Sequence, residues 1–138
     1  STLYALRGIF SAGLCDKAYK YLNEYNHQRL LGDHVPYPIE AWPEGNQRHL
    51  SAEGGLYARV MIEGMFGITP AGLNRFRLAP SVPARLGKVA LRRIKAFGSC
   101  FDVEIFRTGK KYNVSVITSD GRRQNFIIGI DESIQVTV

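Results

Sequence analysis

Cysteine is scarce in this chain: only Cys15 and Cys100 occur among 138 residues. Two thiols supply neither a disulfide-dense scaffold nor a four-thiolate zinc site. They lie in different regions and read as unpaired packing residues. No apolar run approaches the roughly 18 residues of a membrane helix, so no membrane partner is expected. There is no phosphate-binding glycine loop, and no serine or cysteine motif for nucleophilic catalysis. Asp33, His34, Glu44 and His49 lack the H-x-x-x-H or H-E-x-x-H spacing of a metal site. Neither a metal nor another cofactor is expected. What is present is ordinary for a folded domain: 45% hydrophobic and 22% charged residues, which argues against disorder. The length suffices to bury a core.

Acids are also missing from one long stretch, between Glu63 and Asp102. Residues 1–69 carry six Lys/Arg against seven Asp/Glu, and residues 70–138 carry twelve against five. The formal +6 is therefore −1 on the first part and +7 on the second. A basic excess invites a nucleic-acid reading. However, Arg92, Arg93 and Lys95 fall in a strand-like segment with no RNP-like aromatic motif or zinc finger. A solvated sheet face, or one packed on an acidic surface, explains them, and no nucleic-acid partner is expected. Hydrophobic periodicity changes at the same place, so two regions join near Thr69–Pro70–Ala71–Gly72.

The first region, 1–69, reads as helical. Leu3 to Phe10 are apolar and helix-like. They begin without a cap or polar lead-in, as if cut from something longer. Leu14, Ala18, Tyr21, Leu22 and Tyr25 recur at spacings of four and three, one face of a helix. Gly13 precedes this helix and Gly32 is its stop signal. Residues 32–48 form a long loop, because Pro36, Pro38 and Pro43 exclude a regular helix. Loops of this length are usually functional or disordered, and the aromatic and polar density of this one favours function. A third helix runs from Leu50 or Ser51 to Phe66 and is apolar nearly all round, so it should be buried among other elements.

The second region, 70–138, reads as an antiparallel β-sandwich or jelly-roll-like domain. Phe101, Val103 and Ile105 alternate with polar residues, as do Tyr112, Val114 and Val116, and again Ile134, Val136 and Val138. Further strands are expected at 74–79, 88–96 and 123–130. Thr108-Gly109-Lys110, Ser119-Asp120-Gly121 and Asp131-Glu132 read as short hairpin connections. The fold class is thus α+β: about three N-terminal helices followed by a sandwich.

Several residues stand out for chemistry. Glu53 lies in the first turn of the third helix, where acids also sit simply to face the positive helix end. Glu63 has Arg59 one turn earlier, so an i,i+4 ion pair accounts for it. Trp42 and Tyr37 suit stacking on the apolar face of a sugar ring, or packing of the loop. His34 and His49 read as hydrogen-bonded structural or substrate-contacting residues.

The run Leu30-Leu31-Gly32-Asp33-His34-Val35-Pro36-Tyr37-Pro38 is followed by Glu40-Ala41-Trp42-Pro43-Glu44-Gly45-Asn46. Then come His49-Leu50-Ser51-Ala52-Glu53-Gly54-Gly55-Leu56-Tyr57, Glu63-Gly64-Met65-Phe66-Gly67-Ile68 and Phe76-Arg77-Leu78-Ala79-Pro80-Ser81-Val82-Pro83. This order resembles the C-terminal end of bacterial six-hairpin (α/α)6-barrel glycoside hydrolases of the α-L-fucosidase and α-L-rhamnosidase groups. The resemblance implies that 1–69 is the last part of a barrel and 70–138 the appended C-terminal sandwich. It implies hydrolysis of glycosidic bonds with inversion in an intact parent, in a periplasmic or extracellular setting. Glu44 stands in the acid-Gly-Asn context of the base of such enzymes, with a solvated loop acid as the alternative. Glu44 or Glu53 would be base or substrate contact. Asp33, His34, Tyr37, Trp42, Asn46 and His49 would line the cleft for an oligosaccharide or polysaccharide.

Three helices are only part of such a barrel. The general acid and the remaining barrel helices would lie elsewhere in the parent chain or in another chain, and this chain alone should be silent. The competing expectation is a non-catalytic carbohydrate-binding or structural interaction module.

Overall fold

The computed structural model describes residues 2–31, Pro38 and residues 51–138. Among these the chain forms three helices followed by seven strands in two antiparallel sheets, an α+β fold with a β-sandwich.

Helix α1 (Thr2–Ser11) buries Leu3, Leu6 and Phe10, at spacings of three and four. It stops at Gly13, whose φ of 79° lets its N–H reach the Phe10 carbonyl at 2.9 Å. Helix α2 (Cys15–Arg29) buries Cys15, Ala18, Leu22 and Tyr25. Leu14 and Tyr21, expected on that face, are exposed. Leu14 precedes the first turn with non-helical backbone angles, so the helical register does not govern it. Helix α3 (Ser51–Arg59) continues into a π-helical turn, Val60–Met65, that closes with the Phe66 N–H on the Met61 carbonyl. The sequence pattern places this helix under cover all round. Val60, Gly64 and Met65 are indeed buried, but Ile62 and Arg59 face outward. Gly64 admits α1 closely: a Cβ there would lie 3.1 Å from that of Phe10.

The strands are β1 (Ile68–Gly72), β2 (Arg75–Leu78), β3 (Lys88–Ala96), β4 (Ser99–Thr108), β5 (Lys111–Thr118), β6 (Arg123–Gly129) and β7 (Ile134–Thr137). One sheet has the order β1-β2-β7 and the other is the meander β3-β4-β5-β6. Two sequence expectations need correction. Thr69–Gly72, read as a junction between regions, is strand β1, and its Pro70 is tolerated because β1 pairs only with β2 at a sheet edge. Asp131-Glu132 is not a hairpin turn: it carries the chain from β6 across to the other sheet, where β7 pairs with β2.

Inward residues of both sheets make the core, with Phe76, Phe101, Val103, Ile105, Val114, Val116 and Val136 all buried. Phe76 stacks on Phe101 and on Phe97, each with ring centroids 5.3 Å apart. Phe97 and Gly98 form the β3–β4 turn, both with positive φ. Asn would suit the first position better, but only an aromatic there closes the end of the core on Phe76.

The segment 79–83 crosses from β2 toward β3, with residues 80–83 buried. Its backbone donors are accounted for. Ala79 donates to the Gly67 carbonyl at 2.9 Å, Ser81 to that of Met65 at 2.8 Å, and Val82 to the Tyr112 hydroxyl at 3.0 Å. Pro80 and Pro83 have no N–H to satisfy. The Val82 carbonyl accepts from Arg107 Nη1 at 2.7 Å and from the Tyr112 hydroxyl at 3.3 Å. The crossover thus hydrogen-bonds to the helical layer on one side and the meander on the other. Gly67 makes the close approach possible: with φ of 68°, an added Cβ would sit 1.8 Å from the Ala79 oxygen.

Gly109 also has positive φ, but open space around it. Gly109→Ala should cost roughly 1–2 kcal/mol, the left-handed strain alone. Gly67→Ala should cost distinctly more in urea unfolding, because backbone must move as well. Equal costs would contradict the close approach.

Candidate functional site

Glu53 is the one candidate site residue within the described part of the chain. Asp33, His34, Tyr37, Trp42, Glu44, Asn46 and His49 lie outside the described residues. Glu53 is only 8% exposed, although it sits in the first turn of α3 where an acid could stay in water. It is turned toward α2. The Tyr25 hydroxyl donates to Glu53 Oε1 at 3.0 Å, and Arg29 Nη1 stands 3.9 Å from the same oxygen. The Arg29 guanidinium also lies over the Tyr25 ring, 5.3 Å from its centroid.

One turn further along α3 a second hydrogen bond joins the same two helices. Tyr57 donates to Asn26 Oδ1 at 2.8 Å, and its ring stacks on that of Tyr25 at 6.0 Å. Helix geometry explains the match. Tyr25, Asn26 and Arg29 share one face of α2, and Glu53 and Tyr57 are i,i+4 neighbours on α3. Burying a carboxylate without partners is costly, and the phenol and guanidinium supply them. Burial first, and then the Glu53 charge, push the Tyr25 hydroxyl far above its ordinary range. Burial raises Tyr57 as well.

Tyr25 and Arg29 also form one end of a cleft of about 280 Å³ between α1 and α2. Ala5 and Ile9 give it an apolar wall, and Glu24 and Gln28 a polar one. Its size lies near the lower end of the roughly 300–1,000 Å³ typical of small-molecule sites. Glu53 does not itself line this cleft, but it contacts Tyr25 and Arg29, which do. Such a set can fix a hydroxyl-bearing ligand. A glycosidase needs a second carboxyl group across the scissile bond as well.

Glu63 belongs to a different arrangement. It pairs with Arg59 Nε at 2.7 Å, the i,i+4 contact anticipated from sequence, and with Arg7 Nη1 of α1 at 2.8 Å. The Arg59 hydrogen bond first, and then both guanidinium charges, hold its carboxyl below the usual range. It ties α1 to α3. Cys15 and Cys100 are both free thiols. Among the described residues no three His, Cys, Asp or Glu side chains gather as a metal site would require.

Sequence reasoning missed Tyr25, Asn26, Arg29 and Tyr57 as parts of a polar cluster. By spacing Tyr25 belongs to the apolar face of α2, and nothing local marks it as a partner of Glu53. Comparison with known proteins finds no matching family model, curated protein or solved structure.

Tyr25→Phe should destabilise the chain by about 1–3 kcal/mol, because it strips the donor from a buried acceptor. It should also change the alkaline limb. Tyr25 keeps its proton in the folded chain after the unfolded chain loses it near pH 10. Stability is therefore full below that pH and falls above it as the unfolded state binds fewer protons. The wild type should lose stability above pH 10 more steeply than Tyr25→Phe. Parallel slopes in pH-dependent urea unfolding would contradict the assignment.

Proposed function

We propose that this chain is the C-terminal part of a bacterial six-hairpin (α/α)6-barrel glycoside hydrolase, supplying one wall of the sugar cleft and the appended sandwich. Two features support the reading beyond the quoted motifs. Three helices are followed by a two-sheet sandwich, the coarse order the resemblance implies, although the proline-bearing crossover joins β2 to β3 within the sandwich. The observation that carries the site is Glu53, a buried carboxylate held by Tyr25 and Arg29, two residues that line the cleft between α1 and α2.

In this reading Glu53 or Glu44 acts as base or as a contact to sugar hydroxyls, and the general acid comes from the rest of the barrel. The ligand is an oligosaccharide or polysaccharide, and the setting is periplasmic or extracellular. Tyr25 and Arg29 are positioning residues: they fix which Glu53 oxygen faces α2. Hydrolysis then needs both carboxyl groups, so the chain alone is silent.

The test compares this chain with its parent protein on aryl glycosides. The parent should hydrolyse them and the isolated chain should not. In the parent, Glu44→Gln or Glu53→Gln should lower kcat by about 10²–10⁴, the range of general acid–base catalysis. Full activity of both variants, or an upstream region without helical hairpins, would overturn the reading.

A further inference from the structure

The outward face of the four-stranded sheet carries most of the molecule's excess charge. Strand alternation and the pairing register place Lys88, Arg92, Arg93, Lys95, Lys111 and Arg123 on it. Only Asp102 and Glu104 oppose them there, a net of +4 from six cations and two acids. A β-bulge concentrates the charge. The pairing of β3 with β4 slips between Leu91 and Ile94, and Arg93 adopts φ of 55°. Two arginines therefore face one partner residue. The Arg93 N–H donates to Asp102 Oδ1 at 2.7 Å, and Arg92 Nη1 to Asp102 Oδ2 at 3.2 Å.

The two acids are fully engaged. Arg92 also meets Glu104 Oε1 at 2.7 Å, and Lys88 lies 3.5 Å from Glu104 Oε2. Lys95, Lys111 and Arg123 have no acid within ion-pair distance among the described residues. Between these cations the face is not purely charged. Phe106, Asn113 and Ile127 form one cross-strand row, with Phe106 49% and Ile127 69% exposed. The next row holds Ser115, whose hydroxyl donates to Asn125 Oδ1 at 2.7 Å.

We propose that this face binds a carboxylate-bearing glycan, a uronate chain laid across the strands. The unpaired cations meet the carboxylates, with the planar guanidinium of Arg123 matched to them in shape. The Phe106–Ile127 row meets the apolar face of a sugar ring, and the Ser115–Asn125 pair meets hydroxyls. Single-stranded nucleic acid fits less well. It is held by successive aromatic platforms, and Phe106 is the lone aromatic at the outward positions of β3–β6. The inference does not rest on the glycosidase reading, and its test involves no hydrolysis.

Calorimetry of the whole chain with polygalacturonate oligomers at about 50 and 200 mM salt provides the test. Binding is expected at the lower salt and should weaken at the higher, while a neutral glucan should not bind. Lys95→Glu with Arg123→Glu should weaken binding at least about tenfold. Arg75→Glu with Arg77→Glu changes the net charge equally on the other sheet and should leave binding unchanged. Circular dichroism checks that both variants fold; should the first pair unfold, Lys111→Glu replaces it with the same expected direction. No binding at low salt would overturn the proposal. So would equal losses in the two double variants, or dextran sulfate, which carries no carboxylate, or single-stranded RNA binding as tightly as polygalacturonate.

Discussion

The architecture depends on one close approach, that of Gly67 to Ala79. The helical layer ends there in a left-handed residue with no room for a side chain, and the Ala79 N–H closes on the Gly67 carbonyl. From that point the crossover runs between the two layers, and each of its backbone donors finds a partner. Buried backbone must be satisfied in this way. Here the partners come from both sides, the Met65 and Gly67 carbonyls on one and the Tyr112 hydroxyl on the other. The helical part and the sandwich therefore share a seam of hydrogen bonds rather than a linker. Arg107 extends the seam, reaching the Val82 carbonyl at 2.7 Å and Cys15 Sγ of α2 at 3.6 Å.

That seam bears on the candidate site because it fixes where α3 ends. The π-helical turn, with Gly64 against Phe10, sets α3 beside α1. The Arg7–Glu63–Arg59 contacts hold the same two helices at the surface. Glu53 lies about three turns back along the same helix, so its approach to Tyr25 depends on that packing. A surface ion pair contributes at most about 1 kcal/mol. The buried Tyr25–Glu53 contact is the stronger constraint, since breaking it leaves a polar group without its partner in the interior.

What could be read in the sequence followed from local pattern. Tyr112, Val114 and Val116 alternate without interruption, and β5 stands where that pattern places it. Leu3, Leu6 and Phe10 mark α1 by spacing alone. Strand β1 was hidden because Pro70 and Gly72 are turn residues by composition, and only its position at a sheet edge makes them acceptable. The β6–β7 connection is illegible for a similar reason: a short turn does not reveal which sheet the next strand joins. The site was harder still. Glu53 was recognisable as an acid in an unusual helix, but its partner lies 28 residues away. Nothing local pairs Tyr25 with it. The bulge at Arg92 and Arg93 likewise depends on Asp102 in the neighbouring strand.

Whether helices and sandwich behave as one cooperative unit built on the crossover is measured by native-state hydrogen exchange of the whole chain. The amides of Ala79, Ser81 and Val82 should exchange only through global unfolding, with the same free energy as Val103 and Val114 in the core strands. Exchange of the crossover amides through a separate, lower-energy opening, while β4 and β5 stay protected, would contradict it.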